Sequence, residues 1–139
     1  MSKIIRKNQK LFGDTGVTGV IGKFGSYKAG SAAYSSDPEL IQSLPAWSGG
    51  FSAAGLTANA PALQDMNGLF HSCFRQIKYL LQQGIPEWNA TTTYNMGSIT
   101  TDGFGIYFSL VESNLNNALT ENTKWFYANT YFKVPRRGM

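Results

Sequence analysis

Few residues in this chain are equipped to make or break bonds. It holds one histidine, His71, and one cysteine, Cys73, with four Asp and four Glu spread over 139 residues. A nucleophile, a base and an orienting group would have to come from His71 with Ser72 or Cys73. These are sequence neighbours on a predicted helix, where adjacent side chains point about 100° apart, so a direct hydrogen bond is disfavoured. A carboxylate pair such as Glu87 with Asp102 is conceivable, but nothing around it singles it out. The glycines form neither a phosphate-binding loop ending in Gly-Lys-Ser/Thr nor a Gly-x-Gly-x-x-Gly fingerprint. One His and one Cys are too few for a transition-metal site within one chain. A single cysteine excludes an internal disulfide. The expectation is a protein with no enzymatic activity, no metal and no cofactor.

What the sequence does offer is aromatic surface. Aromatics make up 14% of the chain, and Trp88, Tyr94, Tyr107 and Trp125 lie among Asn, Ser and Thr. An aromatic face can stack on the apolar face of a sugar while amides bond its hydroxyls, so these four are candidate glycan contacts. A segment of this size also needs its aromatics for its own core, and that role is favoured for each of them taken singly.

Composition narrows the classes further. Charged residues are only 14% of the chain, against roughly 25% in an ordinary soluble protein. Their place is taken by 12 Ser, 11 Thr and 10 Asn. A disordered chain would be charged and poor in aromatics. No apolar run reaches the length of a membrane span. The basic start, Met1 to Lys7, is followed by no apolar stretch, so no secretory signal is expected. The net charge of +4 is uneven: +5 over residues 1–34, −1 over 35–83, −3 over 84–129 and +3 over 130–139. The basic residues form no dense run and accompany no nucleic-acid-binding motif. The basic ends therefore read as solvated termini that dock on an acidic neighbour. Candidate docking residues are Lys3, Arg6, Lys7, Lys10, Arg136 and Arg137.

The elements that position these residues follow from pattern. Gly13, Gly16, Gly19, Gly22 and Gly25 recur at every third position, as in collagen, but without proline and with Val17, Val20, Ile21 and Phe24 between them. Residues 1–36 instead read as turns and short extended pieces, too poor in apolar surface for a core and needing a partner surface to become ordered. Asp37-Pro38-Glu39 predicts the start of a short helix, with Asp37 as cap, ending near Leu44 before Pro45. A second short helical turn is expected to hold Trp47 and Phe51. The strongest signal covers residues 61–83, with Asn59 as cap, Pro61 in the first turn and Gly84 just past the end. Leu63, Met66, Phe70, Cys73, Ile77 and Leu80 follow the a and d spacing of three heptads, which marks a seam between copies. Phe74 and Leu81 widen the stripe, which also suits a helix packed on its own core. Cys73 on this face reads as a small buried apolar residue, and His71, off the stripe, as a surface residue. Beyond Gly84, Ile99-Thr100-Thr101 and Ile106 to Val111 predict a hairpin about Asp102-Gly103. Trp125-Phe126-Tyr127 adds a third strand, and Asn114 to Asn117 a polar loop.

Three stretches resemble the small tail-fibre and receptor-attachment proteins of tailed bacteriophages. The first is Ile5-Arg6-Lys7-Asn8-Gln9-Lys10-Leu11-Phe12-Gly13 with Phe24-Gly25-Ser26. The second is Tyr34-Ser35-Ser36-Asp37-Pro38 with Ile41-Gln42-Ser43-Leu44 and Trp47. The third runs from Asp65-Met66-Asn67-Gly68-Leu69-Phe70 to Tyr79-Leu80-Leu81-Gln82-Gln83-Gly84-Ile85-Pro86-Glu87-Trp88. The resemblance implies a virion structural protein, made in the host cytoplasm, that assembles as a trimer at the virion end of an appendage. Its partners would be other tail or baseplate proteins. Separately, Trp88, Tyr94, Gly97, Gly103, Tyr107 and Trp125 are similar in spacing to small chitin-binding modules of secreted glycosidases. The tryptophans that such modules place after the central tyrosine are replaced here by Ser109-Leu110-Val111-Glu112.

The expected fold is α+β. An extended virion-docking segment (1–36) leads into a helical oligomerisation region (37–84), a small β-module (85–130) and a basic arm (131–139). The expected function is a short tail-fibre or baseplate adaptor subunit, with no nucleic acid and no membrane insertion. The alternative is a receptor tip that contacts bacterial surface glycans through the β-module.

Overall fold

A computed structural model describes Ile5 and residues 7–14, 19–56 and 60–128. The chain divides into two compact units, Met1–Gln82 and Gln83–Met139. The fold is α+β: among the described residues three helices precede a three-stranded antiparallel sheet.

Helix α1 spans Pro38–Ile41. The Asp37 carboxylate accepts the Glu39 N–H at 2.9 Å, and Pro38 occupies the first turn, where its missing N–H costs nothing. The helix stops three residues short of Leu44. Gln42 leaves the helical conformation, and the Ser43 hydroxyl donates to the Leu40 carbonyl at 2.8 Å, occupying one of the end acceptors. Helix α2 spans Ala46–Ala54 and is broken at Gly50, whose φ is +57°. Helix α3 spans Leu63–Gln83, and Gly84 follows it with φ +78°. Ala62 accepts the first helical bond, from the Met66 N–H. The predicted cap, Asn59, lies outside the described residues.

The glycine-rich segment does find a partner surface, and it belongs to the same chain. Phe24 is buried, with its ring edge-on to Trp47 at 5.5 Å and 5.2 Å from Phe51. Ile41, Ala54 and Ala62 complete this small core. Short extended pieces cross: Lys23 N–H donates to Ala33 C=O at 2.8 Å, and Phe24 N–H to Ile41 C=O at 2.9 Å. The segment then runs along α3 as a strap. Gly22 N–H donates to the Gln64 carbonyl at 2.9 Å, and the Asn67 side-chain amide donates to Val20 C=O at 3.0 Å. The approach is close enough that a Cβ on Gly68 would collide with the Gly22 carbonyl oxygen. Only glycine permits that contact.

Two expectations about α3 are overturned. His71 is buried, not on the surface, and Cys73 is exposed, not buried. Both follow from which face the strap covers. The buried residues of α3 are Asp65, Gly68, His71 and Ser72. Polar and small residues suit a partner that is mostly backbone, because they supply hydrogen bonds and close approach.

In the second unit, β1 (Ile99–Thr101), β2 (Ile106–Ser109) and β3 (Trp125–Tyr127) lie in the order β1-β2-β3. The hairpin and the third strand are as predicted. Ile99 faces Phe108, and Phe108 faces Phe126. The outer edge of β1 is covered by residues 86–88: Trp88 N–H donates to Thr101 C=O at 2.8 Å, and Thr101 N–H to Pro86 C=O at 3.1 Å. No helix among the described residues is long and apolar enough to cross a membrane.

Candidate self-association surface

At 1.5 Å per residue, α3 is about 30 Å long. The strap consumes its polar face by backbone recognition. The Asp65 carboxylate accepts the Gly25 N–H at 3.1 Å. His71 is held between two strap carbonyls: Nδ1 lies 2.6 Å from the Phe12 oxygen and Nε2 3.1 Å from the Ser36 oxygen. Asp65 is less well served. Its Oδ1 is buried without a hydrogen-bond partner. Burial pushes this carboxyl above the ordinary carboxylate range, and the Gly25 amide offsets only part of that rise.

Most of the apolar stripe lies off the face that the strap covers. Leu63 is 69% exposed, Phe70 39%, Ile77 44% and Leu80 46%. Cys73 is exposed and Met66 half-buried. From Cys73 to Gln83 no residue of α3 is buried. The face thus holds all six residues that the heptad spacing selected. An aromatic from the strap extends it. The Phe12 ring sits 5.5 Å from Phe70 and 6.2 Å from Phe74, and those two stack at 6.2 Å. Phe12 itself remains 42% exposed. Covering the bare part of one such ring removes about 80 Å² from water, worth about 2 kcal/mol.

The four aromatic residues proposed for glycan contact separate into two classes. Tyr94 and Trp125 are buried core residues, with ring centroids 5.1 Å apart. Trp125 Nε1–H donates to Asn117 C=O at 2.9 Å, and the Tyr94 hydroxyl accepts the Asn89 N–H at 2.8 Å. Trp88 and Tyr107 are half-buried. Trp88 Nε1 is buried without a partner. The Tyr107 hydroxyl donates to Asp102 at 3.0 Å. The Asp102 carboxylate also accepts the Phe104 and Gly105 N–H groups at 2.9 and 2.7 Å. The Gly105 and Phe104 amides hold its carboxyl below the ordinary range. Burial, then the Asp102 carboxylate, push the Tyr107 phenol up to about 12.

Among the docking cations, Lys7 and Lys10 are exposed. Lys3, Arg6, Arg136 and Arg137 lie outside the described residues, as does the 131–139 arm. No group of three or more His, Cys, Asp or Glu among the described residues is arranged to hold a metal ion.

Sequence reasoning missed Asn114. It is buried in the β-unit, and its amide donates to Ser109 Oγ at 2.9 Å and to Lys124 C=O at 3.2 Å. Its carbonyl accepts from Asn117 at 2.7 Å. The repeated asparagines of the 114–117 loop were the available signal. Comparison with protein-family models, curated proteins and solved structures finds no match for the chain.

Proposed function

We propose that this chain is a structural virion protein: a short tail-fibre or baseplate adaptor subunit of a tailed phage. It self-assembles and anchors or forms the host-attachment appendage. The reading rests on the phage-like stretches of the sequence. The observation that carries it further is the orientation of α3, which spends its polar face on its own strap and keeps a heptad-spaced apolar face outward. A helix of a free-standing monomer gains stability from the opposite arrangement. Three copies is the number the resemblance implies. The glycan-tip alternative loses support from Tyr94 and Trp125, which face inward.

Native mass spectrometry and sedimentation of the full chain test this reading. A trimer that dissociates on Ile77→Ser is the expected result. A stable monomer at micromolar concentration removes the self-assembly. Imaging of assembled particles tests the place in the virion: density for this chain within the tail appendage is expected, and its absence from purified particles overturns the assignment.

A further inference from the structure

We propose that the strap is part of the surface on which copies meet. Phe12, laid across Phe70 and Phe74, is buried by a second copy of this chain, so strap docking and assembly are one coupled event. The inference rests on the self-assembly reading above and adds a residue 51 positions from the helix start at Leu63. Three observations lead to it.

First, the Phe12 backbone is pinned: its carbonyl takes the short 2.6 Å bond from buried His71. That bond sets the ring onto the two α3 phenylalanines at 5.5 and 6.2 Å. Second, the ring is seated and still 42% exposed, so the three aromatics form one patch continuous with the heptad stripe. Third, the flanking positions admit an identical copy in heptad register. The positions flanking the stripe are Asn67, Leu69, Phe74, Gln76, Leu81 and Gln83, none of them charged. The cations of α3, Arg75 and Lys78, fall on other faces of the heptad. An identical helix therefore meets no like charge across the seam.

The coupling follows from this geometry. A chain whose strap is undocked presents only part of the patch, and association of a second copy holds the strap in place.

The test uses the full chain. Sedimentation equilibrium is run on the wild type, Phe12→Ala and Ile77→Ser. Phe12→Ala is expected to weaken association at least tenfold while leaving the circular dichroism of the dilute chain unchanged. If Phe12→Ala associates like the wild type while Ile77→Ser does not, the strap proposal falls and the α3 seam stands. If the wild type is monomeric, both fall. A second measurement needs no variant. Amide exchange over residues 8–14 in the wild type should slow as concentration is raised through the association range. Unchanged exchange there, with association proceeding, overturns the coupling.

Discussion

In the β-unit one of the two tryptophans, Trp125, is enclosed by its own chain, whereas in the helical unit the longest element leaves Leu63, Ile77 and Leu80 exposed. The β-unit is finished by its own side chains: Tyr94 lies against the indole, and Asn114 and Asn117 tie the surrounding loop. In the helical unit the strap is held to α3 largely by backbone. Gly22, Gly25, Phe12 and Ser36 each bond to α3 through a main-chain group. A unit built this way can leave an oily face bare, because its internal order does not depend on that face. The lesson is that burial and hydrophobicity are separable within one helix when its neighbour in the chain is a glycine-rich strap.

The contrast can be broken most forcefully at Trp125. Trp125→Ala should cost the β-unit about 3–5 kcal/mol, enough to unfold a segment this small. Loss of the near-ultraviolet circular dichroism of the β-unit would register it, and a folded variant would refute the enclosed-core account. Gly68→Ala comes next. Alanine ordinarily favours a helix over glycine by about 1 kcal/mol. Here its Cβ meets the Gly22 carbonyl oxygen, so the net effect should be a loss of about 1–3 kcal/mol. Urea denaturation supplies the sign, and stabilisation would mean that the strap is not seated on α3.

Asp65→Asn should act in the other direction, by on the order of 1 kcal/mol near neutral pH, since it removes a buried carboxylate whose Oδ1 lacks a partner. Burial raises the folded-state carboxyl above its unfolded value. The folded chain therefore holds its proton longer, and the helical unit loses stability as pH rises from the unfolded value through the folded one. The variant should flatten that slope in melts taken across the acid range. Tyr107→Phe sharpens the comparison from the β-side with a smaller effect. The phenol is raised to about 12 in the folded chain, against about 10 in an unfolded one. The β-unit should then lose stability between those two values, and the variant should lose less. Smallest of all, Ile77→Ser should change the stability of the dilute chain by no more than about 0.5 kcal/mol, because its side chain already faces water. A large loss at high dilution would show that the stripe is used within the chain.

Much of this was legible in the residues. Asp37-Pro38 marked α1, Gly84 marked the end of α3, and the β-branched runs on either side of Asp102-Gly103 marked the hairpin. The spacing from Leu63 to Leu80 isolated one face but left open whether that face turned inward or outward, since periodicity carries no direction. What settles the direction is the strap, whose bonds to α3 join residues 35 to 59 positions apart. Nothing in a local pattern announces such pairings. His71 was misread for the same reason. Beside Ser72 and off the stripe it looked solvent-facing, because the carbonyls of Phe12 and Ser36 that enclose it come from elsewhere in the chain. The docking cations stay an expectation from charge alone.

The order of synthesis adds a consequence to the Gly22–Gly68 contact. The strap leaves the ribosome before the helix that receives it, and more than forty residues must emerge in between. During that interval it has no surface to rest on, and closing so long a loop makes its docking slow relative to helix formation. The earlier-made segment is thus the later to settle, and a nascent chain of this protein passes through a period in which its glycine-rich stretch is open to proteases and chaperones.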